Sequence, residues 1–233
     1  MQLMLRAKSP LSFGRYAAAN LIRGQFGRSM FQESPEIYDQ LLAPPGGSQS
    51  GLTDAPRPYV LRTRDLDGRS FEAGEEMPFR VHVFKANWLG CEPVVLDLSA
   101  KQELVSRVKV EFLTPTDLKG VEGVEFGGLF ARLRDRLSTL RMLYGAGALG
   151  IDFREMGQRA RAVKAVRIEV KEVQRNRVSR SSGQRHSIGG FVGEAEYEGE
   201  LAEFLPYLEA GYWTGVGRHT VWGNGEIRAT ALA

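Results

Sequence analysis

One succession of periodicities constrains the fold of this chain more than any other feature. Residues 105–113, 163–174, 187–198 and 225–231 alternate apolar and polar side chains, the pattern of strands with one face on a core. Between the first two, residues 125–144 place Phe126, Leu129, Phe130, Leu133, Leu137, Leu140 and Leu143 at helical spacing, and the glycine-rich run after Tyr144 is a stop. Residues 201–210 form a shorter helical pattern, interrupted or bent at Pro206. Strand, helix, strand, strand, helix, strand is a ferredoxin-like, or RRM-like, βαββαβ unit. Upstream the pattern is a strand at 2–7, a helix at 14–31 that contains Gly24 and Gly27, and strands at 59–64, 78–84 and 94–98. A second helix has no room there, because residues 85–93 are short and turn-like. The expected class is α+β, with tandem ferredoxin-like domains over residues 1–103 and 104–233, the first reduced.

A chain of 233 residues holds two such domains. Cys91 is the only cysteine, so no intramolecular disulfide forms, as in a reducing compartment. His82, His186 and His219 share no ligand spacing with Cys91, so no structural metal is expected. His82 reads as a half-exposed strand residue. No apolar run is long enough for a bilayer and the N-terminus lacks a signal-peptide core, so the expectation is a cytoplasmic protein with no membrane contact. The net charge of +3 excludes nothing by itself, but most of the 31 basic residues are arginine, which suits phosphate contacts and base stacking.

Two stretches concentrate such residues. The first is 211–228, where Gly215 and Gly217, then Gly223 and Gly225, flank Arg218 and His219. Such a loop can offer backbone N–H groups and a cation to a phosphate, or it can be a glycine-rich turn with no ligand. The second is 171–185, where Lys171, Arg175, Arg177, Arg180 and Arg185 make a basic arm, read either as a phosphate contact or as a solvated hairpin tip. Arg15, Arg23 and Arg28 lie on or beside the first helix, a solvated basic face unless a ligand is present. Phe191 and Tyr197 share one face of their strand, which is either the core face or an exposed one. The strands lack the aromatic pattern of base-stacking RRM surfaces.

Three segments carry a family resemblance: IRGQFGRSM, FLTPTDLKG and GGFVGEAEYEGELAEFLPYLEAGYWTGVGRHTVWGNGEIRA. Together they resemble the CRISPR-associated RAMP endoribonucleases that process precursor crRNA, the Cas6 family. The resemblance implies binding of a CRISPR repeat RNA and one cut by 2′-hydroxyl attack, without metal or cofactor, leaving a 2′,3′-cyclic phosphate and a 5′-hydroxyl. It also implies other Cas proteins as partners, and a monomer or homodimer. Many members carry a catalytic histidine near the end of the first helix, whereas this chain has none before His82. Arg23, Arg28 and Tyr38 stand in that region instead. The arginines suit a phosphorane, and Tyr38 can orient or protonate the leaving oxygen. His219, inside the glycine-rich loop, is the fourth catalytic candidate, with RNA contact as its other role. The missing histidine leaves slow cleavage, or a non-catalytic crRNA-binding subunit of an effector complex, as the alternative. A general RRM-like RNA binder is a third reading.

Overall fold

The computed structural model describes residues 1–42, 55–84, 94–101, 103–121, 123–145, 147–178 and 185–232. They divide into two compact units. The first is Met1–Pro93 with Thr139–Gly147 and Val221–Gly223, and the second is Val94–Ser138, Ala148–Thr220 and Asn224–Ala233. The units therefore interleave along the chain: residues 94–103, expected at the end of the first domain, count with the second, and two later segments return to the first.

The first unit contains β1 (Gln2–Arg6), β2 (Leu11–Ser12), α1 (Ala18–Glu33), α2 (Pro35–Leu41), β3 (Tyr59–Arg62), β4 (Ser70–Phe71) and β5 (Glu76–Val83). Its main sheet is antiparallel in the order β1-β5-β3, with Leu3 opposite Phe79 and Leu61 opposite Val81. Ala18, Ile22 and Phe26 recur at i, i+4, i+8 on α1 and join Tyr59, Leu61, Phe79 and Val81 in one buried cluster. Phe26 meets Tyr59 and Phe79 edge to face, with both ring centroids 6.2 Å away. The helix passes through Gly24 and Gly27 because this buried stripe outweighs about 1 kcal/mol lost at each glycine. Ala17 supplies no side-chain cap, so Asp67 Oδ1 accepts the Ala18 N–H at 2.9 Å and caps the helix from another segment.

The second unit contains β6 (Arg107–Thr116), most of α3 (Phe126–Tyr144), α4 (Phe153–Ala162), β7 (Lys164–Val173), β8 (Asn176–Val178), β9 (Arg185–Ser187), β10 (Gly190–Glu198), α5 (Leu205–Thr214) and β11 (Ile227–Leu232). The sheet order β11-β6-β10-β7, with every neighbouring pair antiparallel, is the ferredoxin-like arrangement expected from the sequence. Its core centres on Phe126, Phe130, Tyr197, Phe204 and Tyr207, with the Phe130 and Phe204 centroids 4.7 Å apart. The buried Tyr197 hydroxyl donates to the Val124 carbonyl at 2.7 Å, and burial raises its pKa. Phe191 and Tyr197 both lie on the core face. The opposite face carries ion pairs: Glu196 accepts from Arg107 at 2.7 Å and from Arg167 at 3.2 Å, and Glu194 lies 3.6 Å from Lys109. That is not an aromatic base-stacking face, which sets aside the RRM-like reading.

Two expectations need correction, and one helix was not expected. Residues 94–98 form no strand, and Val95 is 86% exposed, because among the described residues no strand pairs with them. Pro206 does not bend a helix at 201–210; it lies in the first turn of α5, where its missing N–H would have no partner anyway. The helix α4 escapes the apolar pattern because only Met156 and Ala160 are buried on it. Its signal is the cap: Asp152 accepts the N–H groups of Arg154 and Glu155, both at 2.9 Å. Residues 85–93, judged too short for a helix, lie outside the described residues. No helix of the described residues is long and apolar enough to cross a membrane.

Candidate nucleic-acid interface

The glycine-rich loop begins where α5 ends. Gly215 adopts φ 68° and ψ 171°, a region open in practice only to glycine, and Arg136 Nε donates to the Thr214 carbonyl at 2.9 Å. A Cβ on Gly217 would overlap the Asp117 carbonyl oxygen, and one on Gly225 would overlap that of Val216. The loop is thus folded hard against its own unit. The N–H groups of Val216, Arg218, Asn224, Gly225 and Glu226 donate to Gly225 O, Asp117 O, His219 O, Pro115 O and Thr114 Oγ1, over 2.9–3.4 Å. These five N–H groups are therefore hydrogen-bonded within the protein. Arg218 is exposed and rests 3.4 Å from the Asp117 carboxylate. His219 is half-buried at φ 61°, a left-handed conformation that costs a non-glycine residue about 1 kcal/mol.

The basic arm is a two-stranded extension, with Arg177 opposite His186 and Val178 opposite Arg185 in the β8–β9 ladder. Arg180 lies outside the described residues. Lys171 is exposed on β7. Arg175 is half-buried and donates to Asn224 Oδ1 at 3.3 Å, while Asn224 Nδ2 donates to the Ile188 carbonyl at 2.8 Å. Asn224 is completely buried, so it ties the root of the arm to the end of the glycine-rich loop. No reading of the sequence singled out Asn224; the signal was its place between two glycines, where an amide can cap local backbone.

In the first unit, Val221–Gly223 bring the middle of the loop onto α1. The Arg23 guanidinium carbon stands 3.7 Å from the Trp222 ring centroid. Beside it, burial raises the Tyr59 pKa, and the Arg23 charge partly offsets this. Tyr38, on α2, meets Phe31 edge to face at 5.2 Å and also lies close enough to Tyr59 to influence its ionisation. Arg28 is exposed and sits about 140° around α1 from Arg23, so the two arginines leave the helix in different directions. Arg23, Tyr38 and Tyr59 therefore gather in one unit, whereas His219 belongs to the other. Among the described residues, no group of three His, Cys, Asp or Glu side chains could hold a metal.

Residues 110–227 match the sequence model of the family described as CRISPR-associated endoribonuclease Cas6. The chain belongs to the Cas6 family. No curated protein sequence matches it. Solved Cas6 structures share its fold at low identity. Thermus thermophilus Cas6 aligns over 98% of this chain and 96% of its own, with 16% identity and a TM-score of 0.63. A second Cas6, in a product complex, aligns over 99% and 98%, with 18% identity and a TM-score of 0.58. A partial Cas6-RT-Cas1–Cas2 complex aligns over 99% of this chain and 45% of that chain, with 10% identity and a TM-score of 0.58. These likenesses establish the tandem ferredoxin-like fold. The family match covers β10, α5 and the glycine-rich loop, the region in which this Cas6 chain concentrates its close backbone contacts.

Proposed function

We propose that this chain cuts CRISPR precursor RNA once within each repeat, without a metal. The substrate's 2′-oxygen attacks the adjacent phosphorus, the bond to the 5′-oxygen breaks, and the products carry a 2′,3′-cyclic phosphate and a 5′-hydroxyl. The 2′-hydroxyl gives up its proton, and the leaving oxygen takes one. The observation that carries this reading is the Cas6 family match over residues 110–227. Arg23 and Arg28 are assigned to charge on the phosphorane, because a guanidinium stabilises it without exchanging protons. Tyr38 is assigned to orientation or protonation of the leaving oxygen, and His219 to contact with the RNA or to proton transfer. Lys171, Arg175, Arg177, Arg180, Arg185 and Arg218 are assigned to the RNA backbone, with Gly215, Gly217, Gly223 and Gly225 shaping the loop that holds Arg218. The expected partners are the repeat RNA and other Cas proteins; one solved relative of this fold is named as part of a Cas6-RT-Cas1–Cas2 complex.

A second reading, a crRNA-binding subunit that does not cut, is favoured by the absence of any histidine before His82. One experiment separates the two. Repeat RNA from the source genome's own array is incubated with the protein in EDTA, beside the same RNA carrying a 2′-deoxy group at the scissile nucleotide. A single cut that the deoxy substitution abolishes supports the transesterase. Tight binding with no cut establishes the second reading, and a cut that persists in the deoxy RNA refutes 2′-hydroxyl attack.

A further inference from the structure

The contact between the glycine-rich loop and α1 is periodic. Gly223 lies on Ala19, where an added Cβ would come within 2.7 Å of the Ala19 Cβ. Trp222, the residue before it, lies over Arg23, one helical turn further along the same face. Two consecutive loop residues therefore cover two successive turns of α1. Val221 packs against the buried cluster of the same unit.

We propose that Trp222 is a positioning residue for Arg23, and that the loop presents this arginine to the scissile phosphate. The proposal rests on the cleavage reading above. Stacking on an indole uses the face of a guanidinium and leaves its N–H donors in the plane; Arg23 Nε is buried, so the terminal N–H groups are the ones that can bond phosphate oxygens. Among the described residues no carboxylate pairs with Arg23, in contrast to Arg218, which rests on Asp117. An arginine on a bare helix would explore many rotamers; one held against Trp222 and beside Tyr59 has surrendered that freedom before the RNA arrives. The loop thus contributes to the reaction without any atom of Trp222 touching the substrate.

The test compares wild type with Trp222→Ala, Trp222→Phe, Arg23→Ala and the double variant Trp222→Ala/Arg23→Ala. Each is measured for single-turnover cleavage of the repeat RNA, for RNA affinity and for thermal unfolding. Trp222→Ala is expected to lower the cleavage rate about 10-fold with affinity changed less than about threefold, because the loss falls on an oriented charge in the transition state. Trp222→Phe, which keeps an aromatic face, should recover most of that rate. In the Arg23→Ala background Trp222→Ala should slow cleavage no further, since its target is gone. Equal slowing with and without Arg23, or a slowing that follows unfolding temperature across the variants, would show a merely structural role and overturn the proposal. Wild type that cuts beside a Trp222→Ala variant that cuts equally fast overturns this proposal alone. Wild type that cuts nothing overturns the cleavage reading and this proposal with it.

Discussion

Replacing Gly223 by alanine tests how closely the loop must approach α1. Gly223 holds φ at 76°, a left-handed conformation that alanine adopts at a cost of about 1 kcal/mol. The new Cβ would stand 2.7 Å from the Ala19 Cβ and 3.5 Å from Thr63 Oγ1. Carbon atoms pack at about 3.5–4.0 Å, so the loop or the helix must move by about 1 Å. The Ala19 side chain has no rotamer with which to yield, and over-packing of this kind costs about 1–3 kcal/mol. The two contributions come to about 2–4 kcal/mol, or about 5–15 °C in Tm for a chain of this size. Urea unfolding gives the free energy directly. The same substitution in an Ala19→Gly background removes the overlap and keeps the backbone cost, so the penalty should fall to about 1 kcal/mol. A penalty equal in both backgrounds, or below about 0.5 kcal/mol in the first, would refute the close approach.

Three further outcomes are expected from the second unit. Tyr197→Phe leaves the buried Val124 carbonyl without its 2.7 Å donor and should cost about 1–2 kcal/mol in urea unfolding; no loss would mean that water replaces the hydroxyl. Asp152→Ala removes the cap on the N–H groups of the second and third residues of α4 and should cost about 1 kcal/mol, with hydrogen exchange accelerated at Arg154 and Glu155. Unchanged exchange there would refute the capping role. Burial pushes the Glu196 carboxyl up, but hydrogen bonds from Arg107 and Arg167 outweigh it and leave the pKa lowered. A lowered carboxylate stabilises the fold in full above its unfolded value of about 4.3 and loses that contribution as pH falls through the folded value beneath it. The stability gap between wild type and Glu196→Gln should therefore be present at about pH 6 and shrink below about pH 4, and a gap independent of pH would count against the ion pairs.

Much of the fold is legible because it is local. The stripe from Phe126 to Leu140 repeats at helical spacing, and in the structure each of its aromatic and leucine positions named by that spacing is buried up to Leu140. The alternation in β6 and β10 likewise sorts Val108, Val110 and Phe112, then Ala195 and Tyr197, onto the core. Where local pattern and environment part, the reading fails. Residues 94–98 have strand-like residues and, among the described residues, no strand paired with them, and the apolar side chains of Val94 and Val95 are exposed. In α4 the deciding interaction is a capping carboxylate rather than a stripe. Glycines at 215, 217, 223 and 225 stand out in the sequence, but the letter does not distinguish an opening for a ligand from room for a neighbour. Only the positions of Asp117, Val216 and Ala19 show that room for a neighbour is needed at 217, 225 and 223.

By itself, then, the sequence determined the α+β class and the βαββαβ order of the second unit, because periods of two and 3.6 residues record which face of each element meets a core. It also marked the arginines and the glycine-rich loop, since residue type alone sets charge and backbone freedom. Tertiary structure decided what those residues touch. It placed Val221–Gly223 with the first unit, laid Trp222 over Arg23, paired Arg218 with Asp117 and buried Asn224 beneath the basic arm. Such contacts join residues far apart in the chain, and no local preference encodes them. They are fixed only when both cores are packed and the path of the backbone leaves each side chain one neighbour to meet.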